Sequence, residues 1–189
     1  MENPPLELLI KCKGNDRKAH FTLYKWCFED LISICRRYYK QEEDLKSAVN
    51  TSFLKIIQSM ETIVSKYDDL VFYHWMKKVT VNNIIDEFRK NKNYRETIDI
   101  TEESEIIEKY DNALDDSFEL KDSIASIQAA IDSLPAMGKT VFNLYAIEGY
   151  KHEEIGVLLN ISANTSKVHF FRARTKLQQL LKNEKTLMS

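Results

Sequence analysis

Helix breakers are scarce in this chain, with four glycines and three prolines among 189 residues. A β architecture needs such residues at frequent turns, so their scarcity beside abundant Lys, Glu, Leu and Ile points to helices. No short alternating run bounded by turn residues stands out as a strand. The expected fold class is therefore all-α.

Apolar spacing divides the helices into two groups. Residues 1–5 read as a tail. A first helix is expected from about Asp16 to Tyr39, with Tyr24, Cys27, Phe28, Leu31, Ile32 and Cys35 on its apolar stripe. A second runs from about Glu42 to Met60, burying Leu45, Ala48, Val49, Phe53, Ile56, Ile57 and Met60. A third spans about Val71 to Asn91, with Phe72, Trp75, Met76 and Val79 as its core stripe. Three amphipathic helices of this length can share one core. Periodicity then fades over residues 97–120, apart from a weak helical pattern near Glu102 to Lys109. It resumes near Lys121 with Ile124, Ile127, Ile131 and Leu134.

The charge follows the same division. The net value of −2 conceals 17 basic and 14 acidic groups in residues 1–96, one and nine in 97–120, and nine and six in 121–189. Two mildly basic domains, 1–96 and 121–189, are thus expected to flank an acidic linker, 97–120. A low total charge does not exclude DNA binding, because local placement sets the field near phosphates.

Other classes find little support. No stretch approaches 18 consecutive apolar residues, so no membrane insertion is expected. The start Met-Glu-Asn-Pro-Pro lacks the basic and apolar regions of a secretory signal. Cys12, Cys27 and Cys35 form no CxxC pair, and the last two fall in a helical stripe, as buried reduced thiols in a cytoplasmic protein would. Four scattered histidines give no metal-ligand spacing, and no Gly-rich phosphate loop or nucleophile–base pair is in sight. His152 before Glu153-Glu154 has no second His at i+4, so it reads as a flank of a helix start. Neither an enzyme nor a cofactor is expected.

The last domain is the most informative. Pro135 suits the first turn of a helix carrying Val141, Phe142, Leu144 and Tyr145 and stopping at Gly149. A short helix follows with Ile155, Leu158 and Leu159 inside. Asn160 suits a left-handed turn, and Ser162 suits the N-cap of a final helix reaching about Lys185. This is a helix-turn-helix pattern. Helical hairpins also occur in proteins that bind no DNA, so the outer face decides. Ser166, Phe170, Ala173, Leu177, Leu180 and Leu181 share the core side. Asn164, Lys167, Val168, Phe171, Thr175 and Gln178 lie opposite, flanked by Arg172 and Arg174. Lys167, Arg172, Arg174 and Lys176 place four cations within ten residues beside the outward Phe171. An apolar ring can touch thymine methyls, and cations can hold phosphates or guanine edges. The competing reading buries Phe171 against the other domain.

On the third helix, Lys78, Asn82 and Arg89 follow one edge at i, i+4 and i+11, next to Trp75. Rings, amides and cations in one strip suit unstacked bases. An ordinary polar flank beside a core Trp is the plainer alternative.

The stretch Leu134-Pro135-Ala136-Met137-Gly138-Lys139-Thr140-Val141-Phe142-Asn143-Leu144-Tyr145-Ala146-Ile147-Glu148-Gly149-Tyr150, then Glu153-Glu154-Ile155-Gly156, Ile161-Ser162 and Arg172-Ala173-Arg174-Thr175-Lys176-Leu177, resembles region 4 of extracytoplasmic-function sigma factors. Phe53-Leu54-Lys55 and Phe72-Tyr73-His74-Trp75-Met76, followed by Asn82, Asp86 and Arg89-Lys90, resemble region 2 of the same family. The resemblance covers about residues 6–185, in the right order.

It implies a factor that guides core RNA polymerase to promoters. Region 2 would dock on the β′ clamp through Asp44, Ser47, Asn50, Thr51 and Leu54. It would also capture flipped bases of the −10 element with Tyr67, Asp68, Asp69, Lys78, Asn82 and Arg89, the loop Tyr67-Asp68-Asp69-Leu70 standing where the family has its base-capture loop. Region 4 would contact the β flap and read the −35 duplex with Asn164, Thr165, Lys167, Val168, Phe171, Arg172 and Arg174. The acidic linker would pass near the polymerase active-site channel. A membrane-anchored anti-sigma factor is a further partner that the resemblance suggests.

The chain departs from the family pattern in three places. Ser47, Asn50 and Thr51 stand where acidic or Gln residues are common, which implies altered clamp affinity. Lys151 replaces a capping Ser, a loss of about 1 kcal/mol. Val168 and His169 replace Ser and Arg, implying a different −35 sequence. A conventional helix-turn-helix regulator, or a sigma-like protein that has lost productive polymerase binding, would share many of these features.

Overall fold

The computed structural model of the chain describes residues 3–69, 71–90 and 124–187. The acidic stretch 97–120 and Leu70 lie outside the described residues. Among the described residues there is no strand, and the fold is all-α. The chain divides into two compact units, Met1–Phe88 and Arg89–Ser189.

The first unit holds α1 (Leu6–Lys13), α2 (Arg17–Arg36), α3 (Glu42–Gln58), α4 (Met60–Ser65), a 3-10 turn (Tyr67–Asp69) and α5 (Phe72–Lys90). Helix α1 was not expected from the spacing, since an eight-residue segment gives periodicity little to act on. It begins where the Pro5 carbonyl accepts the Leu8 and Leu9 amides at 2.9 and 3.3 Å, and it buries Leu9 and Cys12. Helix α2 starts at Asp16, whose carboxylate accepts the Lys18 and Ala19 amides at 2.8 and 3.0 Å. Those two bonds hold Asp16 below the usual carboxylate pKa. The expected second helix breaks at Ser59, so Met60 opens α4 instead of closing α3.

The core of this unit lies slightly rotated from the expected stripes. Cys27, Leu31 and Cys35 are buried as expected, but Ala19, Leu23 and Ile34 join them. Tyr24, Phe28 and Ile32 are only half-buried. Tyr24 and Phe28 form an aromatic flank with Phe53, at centroid distances of 5.4 and 5.0 Å from the Tyr24 ring. In α3, Ser52 is buried while Phe53 and Ile57 are half-buried. In α5, Trp75 and Val79 are half-buried, and the core continues through Thr80, Val81, Asn83, Ile84 and Ile85.

Polar groups enter that core in pairs, as burial demands. The Thr80 hydroxyl donates to the Met76 carbonyl at 2.9 Å, and Asn83 Nδ2 donates to Ser52 Oγ at 3.1 Å. One turn further on, Lys55 meets Asp86 at 3.0 Å. The two contacts advance together, so α3 and α5 run in the same direction there. All three cysteines are buried and free. Desolvation pushes Cys12 to a pKa of about 11 and Cys27 and Cys35 to about 12, leaving them protonated and unreactive.

The second unit holds α6 (Ile124–Asp132), α7 (Ala136–Phe142), a π-helical segment (Asn143–Ile147), α8 (His152–Leu159) and α9 (Ala163–Leu187). Ile131, Leu134, Met137, Val141, Leu144, Ile155, Leu159, Ala173 and Leu177 form its core. Pro135 sits at the N-cap of α7, one position earlier than expected. In the π segment the Glu148 amide reaches back five residues to the Asn143 carbonyl at 2.9 Å. Tyr145 is thereby left at the surface of the unit, not in its core. Gly149, with φ of +79°, then turns the chain into α8. Lys139 is buried at the other end of this region, its ammonium 2.5 Å from Asp132 Oδ1, so an ion pair joins the end of α6 to α7.

No described helix is long and apolar enough to cross a membrane.

Candidate nucleic-acid interface

The α8–α9 turn is built from three local constraints. Asn160 ends α8 in the left-handed region at φ 53° and ψ 46°, as its side chain permits. The Ile161 amide returns to the Gly156 carbonyl at 3.0 Å. A Cβ on Gly156 would lie 2.9 Å from the Ile161 carbonyl oxygen, so the close pass of the turn over α8 requires glycine there. Ser162 then caps α9, its Oγ accepting the Thr165 amide at 2.9 Å. At the other end of α8, Lys151 leaves half of a capping box unmade, because an ammonium accepts no hydrogen bond. Glu154 supplies the other half by accepting the Lys151 amide at 2.8 Å.

Inside the hairpin sits a cluster that the sequence reading missed. His152 is buried, with Nδ1 2.9 Å from Ser166 Oγ. Its ring stacks on Tyr145 at 4.3 Å, and Phe170 packs against both at 4.5 and 5.9 Å. This cluster is part of the packing of α8 against α9, beside buried Ile155 and Leu159. Burial, and then the nearby Lys167, lower the His152 pKa, which Glu153 only partly opposes. His169 also lies inside and is lowered by burial and then by Arg172. His169 therefore does not stand on the outer face with Val168. The spacing Tyr145, His152, Ser166, Phe170 crosses three elements, so no single helical period could have revealed it.

Of the expected core side of α9, Ser166, Phe170, Ala173, Leu177 and Leu181 are buried, and Leu180 is half-buried. In α8, Leu158 is likewise half-buried, and Gly156 is buried instead. The opposite side brings together Asn164 and Arg172, both exposed, with half-buried Lys167, Val168, Phe171, Arg174, Thr175 and Gln178. Phe171 thus turns from the core without being fully exposed. Thr165 is half-buried, with its hydroxyl 2.8 Å from that of Ser162, so it also helps cap the helix.

Along one edge of α5, Lys78 and Arg89 are exposed and Asn82 is half-buried. Asn82 Oδ1 is buried and meets no donor among the described residues. Trp75 lies beside that edge, its ring 5.9 Å from Phe72. Tyr67 and Asp68 lie in the 3-10 turn before α5, Tyr67 half-buried and Asp68 exposed; the Asp69 side chain is outside the described residues. Asp44, Ser47, Asn50 and Leu54 are exposed and Thr51 is half-buried, on the side of α3 opposite Leu45, Ala48, Ser52 and Ile56. Asn50 Oδ1 accepts the Tyr24 hydroxyl at 3.2 Å, and the Thr51 hydroxyl bonds back to the Ser47 carbonyl at 2.8 Å.

Comparison with known proteins bears on these surfaces. The family model for Sigma-70, region 4 matches residues 124–177, which include α8, its turn and the first part of α9. The chain is 29% identical to RNA polymerase sigma factor SigV of Bacillus subtilis over 145 residues, covering 77% of this chain and 80% of that protein. It is 26% identical to ECF RNA polymerase sigma factor SigE of Mycolicibacterium smegmatis over 140 residues, covering 74% of this chain and 52% of that one. A co-crystal structure of the sigma factor RpoE in complex with the anti-sigma factor NepR from Bartonella quintana aligns with a TM-score of 0.47 at 16% identity, over 85% of this chain and 95% of that chain. The chain is thus similar to Sigma-70, region 4, over residues 124–177 and to named RNA polymerase sigma factors over about three quarters of its length.

Proposed function

We propose that this protein directs core RNA polymerase to promoters by dividing DNA recognition between its two units, and that it acts as a cytoplasmic, non-catalytic factor while the polymerase performs the chemistry. The observation that carries this reading is the outer face of α9. Asn164, Lys167, Val168, Phe171, Arg172 and Arg174 share the side of a helix-turn-helix opposite its core, within the stretch that matches region 4. An α-helix fits the major groove, where amides and cations meet base edges and phosphates and an apolar group meets thymine methyls. Thr165 belongs at the start of this surface as well as in the cap.

The α5 edge supplies the second contact. Trp75, Lys78, Asn82 and Arg89 suit a displaced strand, with Tyr67, Asp68 and Asp69 at its margin. Unstacking a base costs a few kcal/mol, and binding the extruded base in a preformed site offsets it, so the duplex opens where the favoured bases stand. The exposed face of α3, Asp44, Ser47, Asn50, Thr51 and Leu54, is the docking surface for the β′ clamp. The second unit would meet the β flap, and an anti-sigma factor would compete for these surfaces.

The test is run-off transcription with core polymerase and a promoter library, with and without the protein. Transcripts starting at defined positions only when the protein is present are expected. Binding of duplex DNA without any effect on core polymerase would instead identify a conventional regulator.

A further inference from the structure

The N-terminal dipeptide Asn3-Pro4 reaches both ends of the connection between α4 and α5. Asn3 Oδ1 accepts the amide of Phe72, the first residue of α5, at 2.9 Å. The Tyr67 hydroxyl donates to the Pro4 carbonyl at 3.0 Å. These contacts join residues 69 and 63 positions apart in the chain. They flank the turn that carries Asp68, and they come from adjacent residues.

The dipeptide is itself firmly held. Pro4 is buried, and Pro5 opens α1 with φ of −54°. Two consecutive prolines leave the backbone little freedom between the strap and the helix. Helix α1 is anchored through Leu9 and Cys12, both at most 1% exposed. Its far end is tied to the start of α4 by Lys13 and Glu61 at 2.8 Å. Helices α1 and α4 therefore lie antiparallel, closed by Lys13–Glu61 at one end and Pro4–Tyr67 at the other. The free N–H groups at the start of a helix need acceptors, and Asn3 satisfies one of them from outside the local sequence. Phe72 is fully buried and packs edge-on to Trp26 at 5.4 Å, so fixing its backbone fixes where α5 begins.

We infer that Asn3 is a positioning residue for −10 recognition: through the Asn3–Phe72 and Pro4–Tyr67 hydrogen bonds, the N-terminal strap sets the base-capture turn relative to the Asn82 edge of α5. This rests on the promoter-melting role proposed for the first unit. Asn3 itself touches no DNA. The strap lowers the entropy that the turn would lose on closing around an extruded base, so its loss weakens discrimination more than it weakens the fold.

The experiment transcribes two barcoded libraries, one randomised at the −10 element and one at the −35 element, using core polymerase with the full chain, Asn3→Ala or Asn3→Asp. Transcribed barcodes, each assigned to its template, are sequenced to obtain base preference, and exchange of the Phe72 amide hydrogen is followed in the free protein. Asn3→Ala should reduce preference at −10 about fivefold, as the loss of one cap worth ~1 kcal/mol implies, with −35 preference unchanged. It should also speed Phe72 amide exchange. Asn3→Asp should restore both, since a carboxylate accepts the same bond at a helix N-terminus. Unchanged −10 preference or unchanged Phe72 exchange in Asn3→Ala overturns the inference, and so does an equal fall in transcription from every template. If the unaltered chain gives no core-dependent transcript, the functional reading fails and takes this inference with it, whatever Phe72 exchange shows.

Discussion

The two units bury polar groups in different ways. In the first, the buried polar contacts are neutral and local to helix faces: Asn83 to Ser52, and Thr80 to its own helix. They set the register of long helices and do not titrate near neutrality. In the second, titratable groups are buried as well: His152 against Ser166, His169 inside α9, and Lys139 paired with Asp132. The fold of the second unit should therefore be the more sensitive to pH and to small changes at its turn.

The strongest way to break that contrast is Gly156→Ala. The added Cβ meets backbone, not a movable side chain, so a destabilisation of about 1–3 kcal/mol is expected in the second unit alone. Hydrogen exchange read residue by residue checks it, and equal losses in both units would show that the units are not independent. Acidification comes next. His152 and His169 have folded pKa values below the ordinary 6.5, so the unfolded chain binds protons more readily than the folded one. Their contribution is present above pH 6.5 and is lost as pH falls from there toward the folded values. Thermal unfolding followed by amide signals from α8 and α9 should shift down between pH 7 and 5.5 more than signals from α2 and α3. The shift should shrink in His152→Gln.

The DNA faces extend the comparison. Lys167→Ala and Arg172→Ala should each weaken −35 duplex binding several-fold and lower the slope of log affinity against log salt by about one. Titrations at several salt concentrations decide this, and an unaltered slope for both variants would remove α9 from the groove. Asn82→Ala should cost promoter opening ~1 kcal/mol while leaving closed-complex binding nearly intact, as footprinting and permanganate reactivity would report. Matched losses in the two assays would contradict a division of labour between the units. The smallest effect is Lys151→Ser, which completes the capping box of α8 and should stabilise the second unit by about 0.5–1 kcal/mol. A change confined to the first unit would count against it.

Much of this architecture was legible in the order of residues. Asn160 and Ser162 marked the turn and cap of the helix-turn-helix, because left-handed backbone and N-caps depend on the residue at one position. The outer face of α9 followed from its 100° periodicity and from cations placed beside Phe171. The stripes of α2 and α5 were found but slightly misaimed. Periodicity locates an apolar arc, yet it cannot say whether Tyr24 or Leu23, or Trp75 or Thr80, stands at its centre, since bulky rings often flank a core that smaller groups fill. Helices α1 and α4 were too short to announce themselves.

What the sequence determined alone is therefore what depends on nearest neighbours: helical class, caps, the left-handed turn, and the polar side of each long helix. The tertiary structure decided which polar groups could be buried, since Asn83, Lys139 and His152 each need a partner that no local pattern names. It also decided that Asn3 would cap a helix 69 residues away. The physical reason is that a hydrogen bond inside a protein is worth having only where both partners leave water together, and only the folded chain brings such partners into one place.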